Sequence, residues 1–360
     1  MQVQSKELDF KGQHIFIGLD IAKKSWKTCI LTKRFEHKTF TQPPDAEVLV
    51  GYLRRNFPGA QYHCVYEAGF SGFWAHDQLR EAGVDCIVVN PADVPQKGKE
   101  QVYKTDRVDA RKLAQNLRSG QLDPIYVPVR DRVEDRALVR MRPHFVRKQT
   151  RCKNQIKSLL YFYGVSIPDD VGDRYWSRRF IRWIEAITTK KASGTQALQV
   201  LLEELHSLRK IISDLDRKIR ALSMEEPYCQ AVRNLKTIPG ISTLTAMILM
   251  TELIDIHRFP SIDELAAYFG LVPGERSTGD KKITTGITPR RNVFLRTLII
   301  ESSWTAVRKD PALMQAFENL SRRMPKNKAI IRIARKLLNR IRFVLKNQQP
   351  YQSCIVSTER

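Results

Sequence analysis

The segment KTDRVDAR, residues 104–111, places two carboxylates three residues apart inside a basic stretch. If a helix begins here, Asp106 and Asp109 lie one turn apart on the same face of that helix. Two carboxylates held this close repel one another and need a cation nearby. Basic residues of the same segment would supply it in a salt-bridged helix start, and a metal ion would supply it in a catalytic site. The segment alone leaves both interpretations open.

The chain before this segment alternates short apolar runs with amphipathic stretches, which predicts an α/β domain. Strands are predicted over 14–20, 25–32, 37–42, 61–67 and 85–90, and helices over 45–57, 71–82 and 105–119. The resulting order, β-β-β-α-β-α-β-α, is that of a ribonuclease-H-like domain.

Two further acids occupy the ends of predicted strands. Asp20 closes the first strand and Glu67 the fourth, and open α/β sheets place their sites at the carboxyl ends of strands. If Asp106 and Asp109 converge on the same point, four carboxylates form an oxygen ligand set of the kind that Mg²⁺ prefers. Paired metal ions in such a site move phosphoryl groups. The alternative is that Asp20 and Glu67 are strand-end acids that face solvent.

The charge of the chain indicates a polyanionic partner. The 360 residues carry a formal net charge of +23, and 42% of them are hydrophobic, which suits two or three packed domains. No apolar run reaches the roughly 18 to 20 residues that span a bilayer, and the polar N-terminus does not resemble a signal peptide. The six cysteines show no Cys-x-x-Cys spacing, which indicates reduced thiols rather than structural zinc. We therefore expect a cytoplasmic, nucleoid-associated protein that binds nucleic acid and no membrane.

The middle of the chain is predicted to be helical and basic. Residues 131–163 form a basic helix that Pro143 should kink or break, and residues 176–187 form a second amphipathic basic piece. In the helix over 195–222, apolar residues alternate at spacings of three and four, the pattern of a coiled-coil seam. That seam predicts either an intramolecular helical hairpin or a contact between copies of the chain.

The C-terminal region contains three elements suited to DNA. Residues 235–252 resemble a helix-hairpin-helix motif, in which the amides that open the second helix can hold a phosphate. After a helix ending at Gly270 comes a polar, Gly-rich loop, in which Ser277 and Thr278 are candidate nucleophiles or ordinary turn residues. Residues 321–346 hold ten Lys or Arg and no acid, which predicts a basic amphipathic helix with one buried face and one phosphate-facing face. A membrane-surface helix is the alternative.

Cations beside these elements are the predicted nucleic-acid contacts. They are Arg136, Arg140, Arg147, Lys148, Arg151, Lys281, Lys282, Arg290, Arg291, Arg335 and Lys336.

Together these motifs resemble the DEDD transposases of bacterial insertion sequences, the insertion-sequence one-ten family, also called bridge recombinases and related to the Piv invertases. The matching segments are GLDIAK (18–23), YEAG (66–69), KTDRVDAR (104–111), IPGI (238–241), GLVP (270–273), STG (277–279) and GIT (286–288). Residues 14–120 and 235–305 are covered well. The middle is covered only as basic helices and a coiled coil.

The resemblance implies a fold and a mechanism. Asp20, Glu67, Asp106 and Asp109 would bind Mg²⁺ in a RuvC-like domain. A serine of the C-terminal transposase domain would attack a DNA phosphate and hold it covalently. Ungapped counting from GLVP places that serine on Thr278, and we favour Ser277 because a primary hydroxyl is less hindered.

The resemblance also implies domains and partners. The expected domains are RuvC-like over 12–125, helical and coiled-coil over 126–228, and transposase over 229–348, followed by a tail over 349–360. A homo-oligomer, either a dimer or a tetramer, would build each active site from two subunits. A structured noncoding bridge RNA would pair with donor and target DNA.

Two other functions fit part of the sequence. A RuvC-like metal-dependent, junction-resolving nuclease would use the same acids with water as its nucleophile, and the C-terminal segments argue against it. A non-enzymatic architectural binder of DNA or RNA would explain the charge and the hairpin motif.

Overall fold

The computed structural model describes residues 9–95, 106–171, 176–278, 281–287 and 292–352, with the side chains of 106, 107, 275–278 and 281–287 outside the description. The chain divides into two compact units, Met1–Pro128 and Val129–Arg360. The first unit is built on a mixed five-stranded sheet, and the second is mainly helical.

The five predicted strands of the first unit are all present. Its elements are β1 (His14–Ile21), β2 (Trp26–Leu31), β3 (Glu36–Gln42), α1 (Ala46–Asn56), β4 (Gln61–Glu67), α2 (Trp74–Glu81), β5 (Asp85–Val89) and α3 (Asp106–Arg118). The strand order is β3-β2-β1-β4-β5. The first three strands form an antiparallel meander, and β4 and β5 are parallel to β1. This topology is consistent with a ribonuclease-H-like DEDD domain.

Alternating side chains divide the sheet into two packed faces. On one face Ile15, Ile17 and Leu19 of β1 pack with buried residues of α1 and α2 in a single core cluster. The helix α1 begins where predicted, because the Asp45 side chain accepts a hydrogen bond from the Glu47 amide. The helix α3 covers the other face of the sheet.

Gly18 lets α3 approach β1 closely. A Cβ added at Gly18 would lie 2.0 Å from the carbonyl oxygen of Ala110 and 2.5 Å from the amide nitrogen of Ala114. Both atoms belong to the helix backbone, so they cannot turn away as a flexible side chain would. The absence of a side chain at Gly18 therefore allows the short distance between α3 and the sheet.

Replacing Gly18 by Ala is expected to destabilise the protein by about 2–3 kcal/mol, as overpacking of a filled core does. The control is Gly51→Ala in the middle of α1, where an added Cβ meets nothing within 4 Å. That control should be neutral or stabilising by roughly 0.5–1 kcal/mol, because Ala favours helix. Urea unfolding of both variants gives the comparison, and equal midpoints would refute the close approach.

The second unit contains nine of the helices in the described part of the chain. Its elements are α4 (Arg130–Phe162), α5 (Arg178–Glu185), α6 (Ala192–Leu222), α7 (Cys229–Lys236), α8 (Thr243–Leu253), α9 (Ile262–Tyr268), β6 (Pro273–Thr278), β7 (Lys281–Ile287), α10 (Val293–Lys309), α11 (Pro311–Ser321) and α12 (Lys326–Asn347).

The helix α4 corrects part of one prediction, the break at Pro143, and α6 decides between the two alternatives for the seam. Pro143 does not break the basic helix, because α4 runs through it without interruption while α6 and α8 pack along it. Leu198, Leu205 and other residues of the α6 seam pack inside the chain against buried residues of α4 and α5. The seam thus forms an intramolecular hairpin in this chain.

The basic amphipathic helix predicted near the C-terminus is α12. Its apolar face is buried in the largest core cluster, with α8 and α10. The residues buried on that face are Ala329, Ile330, Ile333, Ala334, Leu337, Leu338, Ile341 and Val344. None of the described helices combines the length and apolar composition needed to cross a membrane.

Candidate functional site

The strand register places Asp20 and Glu67 beside each other. In the parallel pairing of β1 with β4, Leu19 is the partner of Tyr66. Asp20 is the residue after Leu19, and Glu67 is the residue after Tyr66, so the two acids are in equivalent register. Residues in equivalent register on neighbouring strands point to the same face of the sheet. Asp20 shares its face with Gly18, two residues earlier, and this is the face that α3 covers.

The direction of α3 brings its first turn to the same edge. Its last residue, Arg118, donates a hydrogen bond of 3.2 Å to the carbonyl oxygen of Thr32, at the end of the sheet where β1 begins. The helix therefore runs antiparallel to β1. Ala110 lies over Gly18, and the first residue of α3, Asp106, is about 6 Å from Ala110 along the helix axis. From Gly18, the strand advances about 7 Å to Asp20. The start of α3 is thus level with the strand-end acids.

The donor set fits a magnesium ion by its chemistry. Asp20, Glu67 and Asp109 are half-buried carboxylates, and Asp106 is the first residue of α3, with its side chain outside the description. Among the described side chains, no group of three or more His, Cys, Asp or Glu is already close enough to hold a metal ion. The backbone therefore places these four residues at one edge of the sheet, and closure of a metal site by their side chains stays a prediction.

The segment that carries Ser277 and Thr278 is a β-hairpin, which corrects the prediction of a loop. Both residues lie in β6, and the register pairs Ser277 with Lys282 and Thr278 with Lys281 in β7. The run from 281 to 287 is rich in β-branched residues, which favour the extended backbone of a strand. The hairpin belongs to the second unit, whereas the acids belong to the first.

Both ends of this hairpin are attached to well-packed helices. Before it, Gly270 ends α9 in a left-handed conformation, and its carbonyl oxygen accepts a hydrogen bond of 2.6 Å from buried Arg296 of α10. After it, Asn292 caps α10 by accepting from the Leu295 amide. The candidate nucleophiles therefore lie in a short hairpin between α9 and α10, and both of these helices are packed in the second unit.

The helix-hairpin-helix segment is present as α7 and α8 joined by a turn at Gly240. This glycine has a φ of +92°, and a Cβ on it would lie 2.5 Å from the carbonyl oxygen of Ser302 in α10. The Ser242 hydroxyl caps α8 by accepting from the Thr245 amide. The turn is packed against α10, and its contact with DNA stays a prediction.

The predicted nucleic-acid contacts fall into different environments. Three exposed cations, Arg147, Lys148 and Arg151, lie on adjacent turns of α4, and Lys336 is exposed on α12. Lysines 281 and 282 and arginines 290 and 291 lie outside the described side chains.

Other cations of the predicted set are engaged within the protein. Arg140 forms two hydrogen bonds, of 2.6 and 2.7 Å, to the carboxylate of Glu252. Arg335 is paired with Asp263. Burial, and then the nearby charge of Arg140, lower the pKa of Arg136. Arg140 and Arg335 form ion pairs within the protein, and Arg136 is partly buried. The sequence alone does not show these contacts.

The buried carboxylate of Glu252 was missed by the sequence reasoning. It lies in the apolar helix α8 and is only 1% exposed. An acid within an otherwise apolar helix is the signal that such an ion pair gives in a sequence.

The chain matches known families over both units. Residues 17–164 match the DEDD transposase family of IS110 elements, described as "Transposase", and residues 232–318 match the "Transposase IS116/IS110/IS902 family".

Curated relatives point the same way. The putative transposase y4qE of Sinorhizobium fredii is 34% identical over 244 residues, which cover 68% of this chain and 58% of that protein. The transposase for insertion sequence element IS1111A of Coxiella burnetii is 26% identical over 353 residues, 93% of this chain and 91% of that protein. The transposase for insertion sequence element IS1533 of Leptospira borgpetersenii is 24% identical over 250 residues, 67% and 70%.

The matched families and these relatives are all transposases, which agrees with a mixed sheet that directs acids to one edge. The chain belongs to the IS110 family of DEDD transposases.

Proposed function

We propose that this transposase cuts and rejoins DNA under the guidance of a structured RNA, with four carboxylates binding Mg²⁺ and a serine as nucleophile. The observation that carries the proposal is the common level of Asp20, Glu67 and the first turn of α3 on one face of the sheet. The four acids are spread over 90 residues of sequence, and the fold brings these positions to one edge of the sheet.

Asp20, Glu67, Asp106 and Asp109 would be the metal ligands. Magnesium, when bound, would neutralise their charge and stabilise the charge that develops on a reacting phosphate. The strand ends and α3 would hold the four acids in place, so that the bound ion could meet the scissile phosphate. Their placement on rigid elements favours a fixed geometry for the reaction.

Ser277 would be the nucleophile, with Thr278 as the alternate. The serine oxygen forms an ester bond to phosphorus while a bridging P–O bond of the DNA breaks, and the departing strand takes up a proton. A hydroxyl end of DNA then attacks the phosphoserine, which restores the serine and rejoins the strands. The family resemblance implies that the serine and the acids of one active site come from different subunits of a homo-oligomer, and we propose the same arrangement for this chain.

Exposed cations would hold the nucleic acids. The net charge of +23 and the exposed group on α4, Arg147, Lys148 and Arg151, favour contacts with phosphates. Recognition of an RNA through backbone and shape needs no sequence-specific side chains. The bridge RNA, donor DNA and target DNA as partners rest on the family resemblance.

Trapping of a covalent protein–DNA species tests the nucleophile. The full chain is incubated with Mg²⁺, DNA from the ends of its element and RNA transcribed from the flanking DNA, and is then denatured. We expect an adduct with the wild-type protein and with Thr278→Ala, and none with Ser277→Ala.

The other outcomes separate the alternatives. An adduct that persists in Ser277→Ala and is lost in Thr278→Ala would move the assignment to the threonine. Cut DNA without any adduct would favour the junction-resolving nuclease that uses water. Adduct formation without RNA would remove the guide RNA from the proposal.

A further inference from the structure

We propose that Phe70 and Lys23 form a binding site for one unpaired DNA base beside the carboxylates. Phe70 would stack on the base, and Lys23 would contact a neighbouring phosphate. The inference deepens the proposed function and rests on it, since it assumes that DNA enters at the edge of the sheet where Asp20 and Glu67 lie.

Both residues follow an acid of the site at the same interval. Phe70 comes three residues after Glu67, and Lys23 comes three residues after Asp20. Three residues span at most about 11 Å between Cα atoms. Because β1 and β4 are neighbours in the sheet, the two loops emerge side by side. The Lys23 ammonium lies 5.9 Å from the centroid of the Phe70 ring.

The Phe70 ring is exposed on a turn that hydrogen bonds hold in place. The ring is 68% exposed, which is costly for so large an apolar group. The Tyr66 hydroxyl donates a hydrogen bond of 3.0 Å to the Gly72 carbonyl oxygen, and the Gly72 amide donates one of 3.2 Å to the Gly69 carbonyl oxygen. Gly72 has a φ of +61°, which suits glycine at this turn. The hydrogen bonds therefore hold the backbone of the turn from which the exposed ring projects.

The pairing of an aromatic ring with an ammonium group matches a nucleotide. An aromatic face accepts any base by stacking, and the cation answers the phosphate charge. Lys24 is a second exposed cation in the same loop as Lys23. Lysine is depleted in the cores of protein–protein interfaces, so these lysines beside the ring argue against a protein partner.

The base must be unpaired to present its face to Phe70. In a duplex both faces of each base are stacked on neighbours. Successive nucleotides of a strand are about 3.4 Å apart when stacked, so a reach of at most about 11 Å selects a base roughly one to three nucleotides from the reacting phosphate. Stacking on Phe70 would hold that base out of the helix and fix the register of the strand at the site.

Fluorescence of 2-aminopurine in a single-stranded oligonucleotide tests the site with the full chain in EDTA, where no strand is cut. The probe is quenched on stacking, and its position is moved along the oligonucleotide. We expect quenching by the wild-type protein and by Phe70→Trp, and its loss in Phe70→Leu with roughly tenfold weaker binding. The matched control is Phe35→Leu, which removes a ring that is 62% exposed in the turn after β2, at the other end of the sheet.

The lysine has its own readout and control. Lys23→Gln should lower the slope of log affinity against log salt concentration by roughly 0.7, the loss of one phosphate contact to a single strand. Lys33→Gln, an exposed lysine near Phe35, should leave that slope unchanged.

Two results would overturn the inference. The first is equal quenching by Phe70→Leu and wild type, and the second is no quenching by the wild type at any probe position. If equal quenching is accompanied by a change of molecular mass in Phe70→Leu, the ring belongs to a protein interface. Adduct formation distinguishes these failures from failure of the proposed function, because it can persist in both.

Discussion

Replacing Asp20 by Asn is expected to slow DNA strand cutting by roughly a thousandfold, the loss of several kcal/mol of transition-state stabilisation. The amide keeps the shape of the side chain and removes its negative charge. Asp20 lies next to Glu67 in the register of β1 and β4, on the face that α3 covers. The fold should persist, because Asp20 is a half-buried residue at the end of its strand rather than a core residue.

The matched control for that change is Asp123→Asn, an exposed acid of the same unit. Cutting is measured on end-labelled element DNA with the full chain, Mg²⁺ and RNA, and binding of DNA is measured in parallel. Asp123→Asn should cut as the wild type does. Unimpaired cutting by Asp20→Asn would leave the acids as ordinary strand-end groups and favour the architectural binder.

Replacing Arg140 by Met is expected to destabilise the protein by about 3 kcal/mol, because it leaves the buried carboxylate of Glu252 without its cation. The pair is bidentate, at 2.6 and 2.7 Å, and the carboxylate is 1% exposed. The hydrogen bond to Glu252 also raises the pKa of Arg140, so the cation is present at any ordinary pH. We take the lower end of the range for buried pairs because half of the arginine side chain remains exposed.

Two further variants decide how this result is interpreted. Arg147→Met changes an exposed arginine of the same helix and should alter stability by less than about 0.5 kcal/mol. Arg140→Met combined with Glu252→Leu removes both charges and should recover much of the loss. The stability of all three variants is measured by unfolding in urea, with circular dichroism as the signal. Equal midpoints for Arg140→Met and Arg147→Met would show that the ion pair contributes nothing.

The first unit could be predicted from the sequence because local signals and packing agree there. Short apolar runs mark the first strands of the meander, and Asp45 marks the start of α1. The acids at 20 and 67 could be located at strand ends for the same reason. Their shared face could not, because it depends on the register of β1 with β4 and on the close approach at Gly18.

Two segments of the second unit differ from what was predicted because tertiary contacts outweigh local preference. Pro143 removes one backbone donor, but packing along α4 on both sides of it keeps the helix whole. The segment around Ser277 looked like a loop because of its glycines and polar residues, yet β7 pairs with it. The ion pairs of Arg140 and Arg335 could not be predicted because their carboxylate partners, Glu252 and Asp263, are distant in sequence. Contact of these two arginines with nucleic acid stays a prediction.

The division of the chain after residue 228, the oligomeric state and the guide RNA stay predictions of the family resemblance. The described cysteines, expected as thiols, form no disulfide with one another. Arg147, Lys148 and Arg151 of α4 remain candidates for nucleic-acid contact, because their side chains are exposed to solvent.

Binding of Mn²⁺, used as a spectroscopic substitute for Mg²⁺, tests most directly whether the acids converge on a metal site. Electron paramagnetic resonance reports the free ion during titration of the full chain, and excess Mg²⁺ provides the competition. We predict that Asp20→Asn and Asp109→Asn each weaken binding at least roughly tenfold, since even the loss of an outer-shell partner has that effect. Asp123→Asn should bind as the wild type does. Wild-type affinity in both Asp20→Asn and Asp109→Asn would contradict the four-carboxylate site.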